Sequence, residues 1–271
     1  MKLEEKIKRF KEGGLDKMHV VADFDKTLTR AFVDGKAVQS IISILRDGDY
    51  ISREYAEKSK ALFAKYYPIE RDPHIPIEEK KKALYTWWSE HFDLLIKSGL
   101  NKKHLQHIVQ NKNLQFRKGA LEFLDMLHER EIPLVIISSS GVGDAISLLL
   151  EREGRMHDNI HIVTNRFNWD KKGNAVAIQQ PIIYGMNKNE VELSPQVHAR
   201  IKERKNILLI GDSLDDLGMV AETKDNCLLS FGFLNPGEEM HKKEFEKVFD
   251  ILIENDGNFD EINKFVKEIE G

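Results

Sequence analysis

His19-Val20-Val21-Ala22-Asp23-Phe24-Asp25-Lys26-Thr27-Leu28-Thr29 is the stretch on which the fold turns. Its apolar run reads as a buried strand, and the run stops at a carboxylate, Asp23. Asp25 follows two positions later, then Thr27 and Thr29. In an open α/β sheet, residues just past the carboxyl end of a strand lie in the crevice where ligands bind. Unpaired carboxylates are costly to bury, so two acids at one strand exit point to a bound cation or to proton transfer. A solvated turn is the competing reading, and the stretch alone does not separate the two.

Around that stretch the chain has 271 residues, 41% of them hydrophobic and 32% charged, with a net charge of −4. That balance supports a sizeable core, organised as one large α/β domain or as a core with a smaller second domain. It gives no sign of a nucleic-acid or membrane surface. The single cysteine, Cys227, excludes an internal disulfide framework and a Cys-rich zinc site. No apolar run approaches the ~20 residues of a membrane span, and the first ten residues lack a signal-peptide core. The expectation is a cytoplasmic protein.

Taken in order, Leu3, Ile7 and Phe10 mark a helix over residues 3–12 that Gly13-Gly14 ends. After the first strand, residues 34–115 read as four helical segments with no strand: one around Ile41 to Leu45, then Ser52 to Tyr67, Pro76 to Ser98, and a short one capped by Asn101. Pro68 and Pro73 are expected to break the chain between helices. Strands resume with Ile132–Ile137, Ile160–Thr164, Asn206–Ile210 and Cys227–Phe231, interleaved with helices. A hairpin is expected within 167–184. The C-terminal stretch 236–271 reads as helix, short strand (Val248 to Ile253) and helix.

The pattern predicts an α/β fold: a doubly wound, mostly parallel, Rossmann-like sheet carrying an inserted all-helical cap. Residues 1–33 and 116–271 would form the core and 34–115 the cap.

Three predicted strands end in polar clusters. These are Asp23/Asp25, the turn Ser138-Ser139-Ser140-Gly141-Val142-Gly143-Asp144, and Gly211-Asp212-Ser213-Leu214-Asp215-Asp216. A parallel sheet brings all three to one edge. Asp23 and Asp212 offer hard oxygen ligands suited to Mg²⁺. Ser139, with backbone N–H groups at a helix start, can hold phosphate oxygens, and Lys188 would complete a positive cradle. Asp144, Asp170 and Asp215 read as turn or cap residues. No P-loop is present: Gly141-Val142-Gly143 lacks a third glycine, and no Gly-x-x-x-x-Gly-Lys occurs.

Asp23-Phe24-Asp25-Lys26-Thr27, Ser139, Lys188 and Gly211 to Asp216 together resemble the four-motif signature of haloacid-dehalogenase-like phosphatases. Further stretches resemble the cytosolic 5′-nucleotidase III (pyrimidine 5′-nucleotidase) family within them: Lys17-Met18, Lys65-Tyr66-Tyr67-Pro68-Ile69-Glu70, Asp72-Pro73, Glu78-Glu79-Lys80, Trp87-Trp88, Ser139 to Asp144 and Asn187-Lys188. The likeness runs from about residue 7 to 235.

It implies a Mg²⁺-dependent 5′-nucleotidase acting on pyrimidine nucleoside 5′-monophosphates, CMP and UMP, through an aspartyl-phosphate. By this resemblance Asp23 is the nucleophile and Asp25 the acid/base. The metal would be held by Asp23, the Asp25 carbonyl and Asp212, with Asp216 in support. Ser139, Ser140 and Lys188 would meet the phosphoryl group, and Thr27 would orient Asp25 or its backbone. The helical insert would close over the site, with Glu70 and Trp88 meeting the base. Adjacent residues on a helix point about 100° apart, so one of Trp87 and Trp88 at most would face it.

Two departures bear on base preference: His91 stands where better-known members carry a small polar residue, and the family's Ser-Ala-Gly turn is Ser139-Ser140-Gly141 here. His91 is therefore a further candidate contact. Other readings stay open: a phosphatase or phosphotransferase acting on another small phosphorylated metabolite or on 7-methyl-GMP, and a non-catalytic nucleotide-binding protein. The last would usually have lost one of Asp23, Asp25, Lys188 or Asp212, and all four are present. Oligomeric state has no signal in the sequence.

Overall fold

Met18–Ala22 forms the first strand, β1, and every one of its residues is buried. Such a continuous apolar run suits a strand covered on both faces rather than an amphipathic edge. A computed structural model describes the chain except residues 49, 73, 189–192, 221, 222, 224 and 271, and the side chain at 270. β1 pairs in parallel with β4 (Leu134–Val142) on one side and β8 (Asn206–Gly211) on the other. β5 (Ile160–Asn165), β9 (Cys227–Leu234) and β10 (Ile251–Glu254) extend it to six parallel strands, ordered β10-β9-β8-β1-β4-β5.

Alternation along these strands builds two cores. Val20, Ala22, Ile136, Leu208 and Ile210 face one apolar cluster, which also holds Phe10 of α1 (Leu3–Gly13) and Phe123 of α6 (Ala120–Glu129). Val21, Val135, Ile137, Ile207 and Leu209 face the other, with Ile201 of α8 (Pro195–Ile201). Helices therefore cover both faces, as the doubly wound reading requires. No helix among the described residues is long and apolar enough to cross a membrane.

Between β1 and β4 the chain makes a small antiparallel pair, β2 (Phe32–Val33) and β3 (Lys36–Ala37), turning at Asp34 and Gly35 with φ of 50° and 73°. The helices α2 (Ile41–Asp47), α3 (Arg53–Arg71), α4 (Ile77–Lys97) and α5 (Lys102–Ile108) follow. The segment is thus helical apart from β3. Its inner residues Ile41, Tyr55, Phe92, Leu95 and Leu105 belong to the same apolar cluster as Val20 and Ala22, so the insert and the sheet share one core. A hairpin, β6 (Phe167–Trp169) with β7 (Ala175–Ile178), braces it: Phe167 meets Phe92 edge-on at 5.6 Å.

Several boundaries differ from the sequence reading. Pro68 does not break its helix. α3 runs through it to Arg71, because a proline near a helix end forfeits one hydrogen bond while its carbonyl still accepts Asp72 N–H at 3.0 Å. Pro73 lies outside the described residues. β4 continues to Val142 rather than ending at Ile137, with an irregular register between Ser138 and Val142. The last strand begins at Ile251, since Val248 closes the helix α9 (Lys242–Val248), and α10 (Asp260–Glu270) ends the chain's regular structure.

Candidate active site

Register alone brings the three polar clusters together. Ala22 is level with Ile136 on β4 and with Ile210 on β8, so the next residues, Asp23 just past β1 and Gly211 at the end of β8, stand at the same height. Asp23 N–H still donates to Ile210 C=O at 3.0 Å. The chain then turns sharply, with Thr27, Leu28 and Thr29 N–H all directed at Phe24 C=O, and Lys26 in the left-handed region at φ 60°. Thr29 Oγ1 accepts Lys26 N–H at 2.9 Å and stabilises that turn.

At the centre lies Lys188. Its Nζ is 2.6 Å from Asp23 Oδ1 and 3.0 Å from Asp216 Oδ1, and all three side chains are buried. The other oxygen of Asp216 accepts the N–H groups of Asp212 and Ser213, each at 3.0 Å. Gly211 permits this close approach, since a Cβ there would lie 2.6 Å from Asp216. Asp216 thus holds the loop from beneath.

Asp23, Asp212 and Asp216 each bring one carboxylate oxygen within 4.8 Å of the others. Three carboxylates around the Lys188 ammonium, with the Lys26 charge also acting on Asp212, leave an excess of negative charge in a largely buried space. Hard oxygen donors and uncompensated charge together fit a divalent cation such as Mg²⁺. The acidities agree. Burial, then repulsion from Asp216, pushes Asp212 up to about 7. Burial also raises Asp23 well above its ordinary value, against the pull of Lys188. Lys188 is lowered by burial, but Asp216 and Asp23 outweigh that and raise it.

Asp25, half-buried, has a donor at each oxygen. The Ser140 hydroxyl donates to Oδ2, and Ile41 N–H, the first of α2, reaches Oδ1 at 3.2 Å. Burial raises its carboxyl, and those two hydrogen bonds oppose the rise. Ser140 therefore stands against a carboxylate in this structure. The neighbouring Ser139 hydroxyl has no partner among the described residues, while its carbonyl accepts Asn165 Nδ2 at 2.9 Å.

Thr27 departs from expectation. Its hydroxyl donates not to Asp25 but to Asp212 Oδ1, 3.1 Å away. The turn over Phe24 carries Thr27 under the end of β8, so the threonine steadies the acid contributed by that strand.

In the insert, Trp87 is buried and stacks on Tyr66 at 6.0 Å, whereas Trp88 is half-buried and packs on Phe92 at 5.4 Å. Glu70 is half-buried, and its carboxyl is raised by burial and then by the charge of Asp215. His91 lies inside the insert, its Nε2 3.0 Å from the Tyr55 hydroxyl. Asp170 holds its turn by accepting Lys172 and Asn174 N–H, each at 2.8 Å.

Sequence reading missed Arg117 and Asn235. Arg117 is buried and uses all five donors: Nε to Thr27 C=O, Nη1 to Asp256 and to Gly257 C=O, Nη2 to Lys26 C=O and to Asn235 Oδ1. With its Oδ1 committed to Arg117, Asn235 directs Nδ2 at Asp212 Oδ2, 3.2 Å away. Asn235 immediately follows β9, but the sequence reading ended that strand at Phe231, so the rule that found Asp23 and Asp212 stopped short of it. Nothing local marks Arg117.

Comparison with known proteins agrees with this geometry. The chain matches the family model of pyrimidine 5′-nucleotidase (UMPH-1) over residues 26–270. It is 34% identical over 264 residues to 7-methylguanosine phosphate-specific 5′-nucleotidase A of Xenopus laevis, covering 96% of this chain and 90% of that protein. Among solved structures it is similar to cytosolic 5′-nucleotidase IIIB bound to cytidine, with a TM-score of 0.88, 28% identity, and 99% and 91% of the two chains covered. A probable phosphoserine phosphatase from Vibrio cholerae shares the fold at 12% identity and a TM-score of 0.58, over 94% and 66% of the two chains. The chain belongs to the pyrimidine 5′-nucleotidase (UMPH-1) family and is a 5′-nucleotidase of the haloacid-dehalogenase type, a phosphoric monoester hydrolase.

Proposed function

We propose that this enzyme hydrolyses pyrimidine nucleoside 5′-monophosphates, CMP and UMP, to nucleoside and phosphate in a Mg²⁺-dependent reaction. The observation that carries the reading is the set of buried Asp23, Lys188 and Asp216 with half-buried Asp212 at the carboxyl edge of the sheet. The family name and the cytidine bound to the similar nucleotidase support the pyrimidine.

An Asp23 carboxylate oxygen attacks phosphorus, and the P–O5′ bond breaks as Asp25 passes its proton to the departing O5′. Water then attacks the aspartyl-phosphate, Asp25 takes its proton, and phosphate leaves with Asp23 restored. Lys188 and the Ser139 hydroxyl meet the phosphoryl oxygens, with Ser140 beside them. Asp23, the Asp25 carbonyl and Asp212 would hold Mg²⁺, which neutralises phosphoryl charge when bound. Thr27 and Asp216 keep Asp212 and its loop in place. Residues 34–115 act as a cap that excludes water, with Glu70 and Trp88 toward the base and His91 behind them. The nucleotide is the partner on this reading.

A second reading, 7-methyl-GMP as substrate, is favoured by the name of the Xenopus relative. One assay separates the two: phosphate release from CMP, UMP, AMP and 7-methyl-GMP, with Mg²⁺ and with chelator. Turnover of CMP and UMP that chelator and Asp23→Asn both abolish is expected. Turnover that survives Asp23→Asn defeats the mechanism, and 7-methyl-GMP alone as substrate defeats the pyrimidine reading.

A further inference from the structure

We infer that Ser140 is a positioning residue for proton transfer, its hydroxyl holding the Asp25 carboxyl toward the departing ester oxygen rather than gripping phosphate. The inference rests on the nucleotidase chemistry proposed above and assigns a residue within it.

A carboxyl on a short side chain has two torsions to fix, and Asp25 meets a donor at each oxygen. One comes from the β4 turn, the Ser140 hydroxyl, and one from the start of α2, Ile41 N–H at 3.2 Å. The turn is itself held. Ser138 Oγ accepts Gly141 N–H at 3.0 Å and lies 3.4 Å from Ser140 Oγ. A Cβ at Gly141 would collide with Thr164. Neighbouring serines therefore divide their work: the Ser139 hydroxyl is free among the described residues, and the Ser140 hydroxyl is committed to Asp25.

The chemistry makes this division measurable. A nucleoside O5′ is a poor leaving group and needs the Asp25 proton as its bond to phosphorus breaks. A nitrophenolate leaves without one. Both esters share the attack by Asp23 and the later hydrolysis of the phosphorylated enzyme. The ratio kcat/KM reports events only up to release of the first product, so it isolates the step in which Asp25 acts as an acid.

The test compares wild type, Ser140→Ala, Asp25→Asn and the double variant with Mg²⁺, on CMP and on 4-nitrophenyl phosphate. Ser140→Ala is expected to lower kcat/KM for CMP roughly tenfold, a fraction of what a positioned general acid contributes, and for the aryl ester less than twofold. On the Asp25→Asn background it should add nothing. An equal fall on both esters, or additivity in the double variant, makes Ser140 a phosphate contact and overturns the inference. So does no fall on either. If wild type turns over no nucleotide, the nucleotidase reading falls by itself. The same ratio taken with ribose 5-phosphate in place of CMP then decides for or against Ser140.

Discussion

Lys188 Nζ stands 2.6 Å from Asp23 Oδ1, a buried cation held against the acid that begins the reaction we propose. The same ammonium spans to Asp216, 3.0 Å away, so one residue ties together the ends of β1 and β8. Either carboxylate left without it would be a buried, unpaired charge.

Lys188→Met should therefore act on stability and on turnover together. Breaking a buried pair costs about 3–5 kcal/mol, and losing the cation that the proposed mechanism sets beside the phosphoryl group should lower kcat by roughly 10²–10³. Urea denaturation and phosphate release measure the two, and addition of MgCl₂ should recover part of the first. A variant as stable and active as wild type contradicts the arrangement.

Asn235→Leu keeps the branched outline of the side chain but removes the donor to Asp212 Oδ2, along with the acceptor for Arg117. Groups that orient metal ligands from behind typically contribute about 10–100-fold to affinity. Calorimetry of Mg²⁺ binding to the substrate-free protein should show a loss of that size. An unchanged dissociation constant would remove Asn235 from the site.

His91 supplies a dependence on pH. Burial, reinforced by Arg46, lowers its pKa from 6.5 to about 4, so the folded protein holds it neutral beside Tyr55. The unfolded chain takes up that proton first, so its stabilising contribution is present above pH 6.5 and is lost as pH falls toward 4. The loss approaches about 3 kcal/mol at the acid end. His91→Gln should lack this component when urea stability is compared with wild type at pH 7 and pH 4.5, and parallel curves would contradict it.

The two adjacent tryptophans should separate cleanly. Trp87 is buried against Tyr66, so Trp87→Leu should cost about 2–4 kcal/mol of stability. Trp88 is half-buried, and Trp88→Leu should raise KM for CMP several-fold while changing stability less. Melting curves and steady-state kinetics on both variants test the contrast. The same effect from both would mean that neither faces the base.

The residues legible in advance share one property: their meaning lies in near neighbours. A buried apolar run ending in Asp23, or in Gly211-Asp212, announces a strand exit at the ligand edge whatever else the chain does. The four insert helices were readable because apolar spacing and cap residues such as Asn101 are local. Pro68 misled because the rule that proline ends helices weakens in a last turn, where few bonds remain to lose.

The amino-acid sequence by itself determined the parallel sheet, the helical insert and the identity of the acids at the strand ends, because period and strand-end chemistry act over a few residues. Only the tertiary structure decided which group each one meets. Thr27 reaches Asp212 across 185 residues, Arg117 grips the Thr27 carbonyl across 90, and Ser140 reaches Asp25 across 115. Such partners are chosen by sheet register and by which buried donor still lacks an acceptor, and both exist only once the chain has folded.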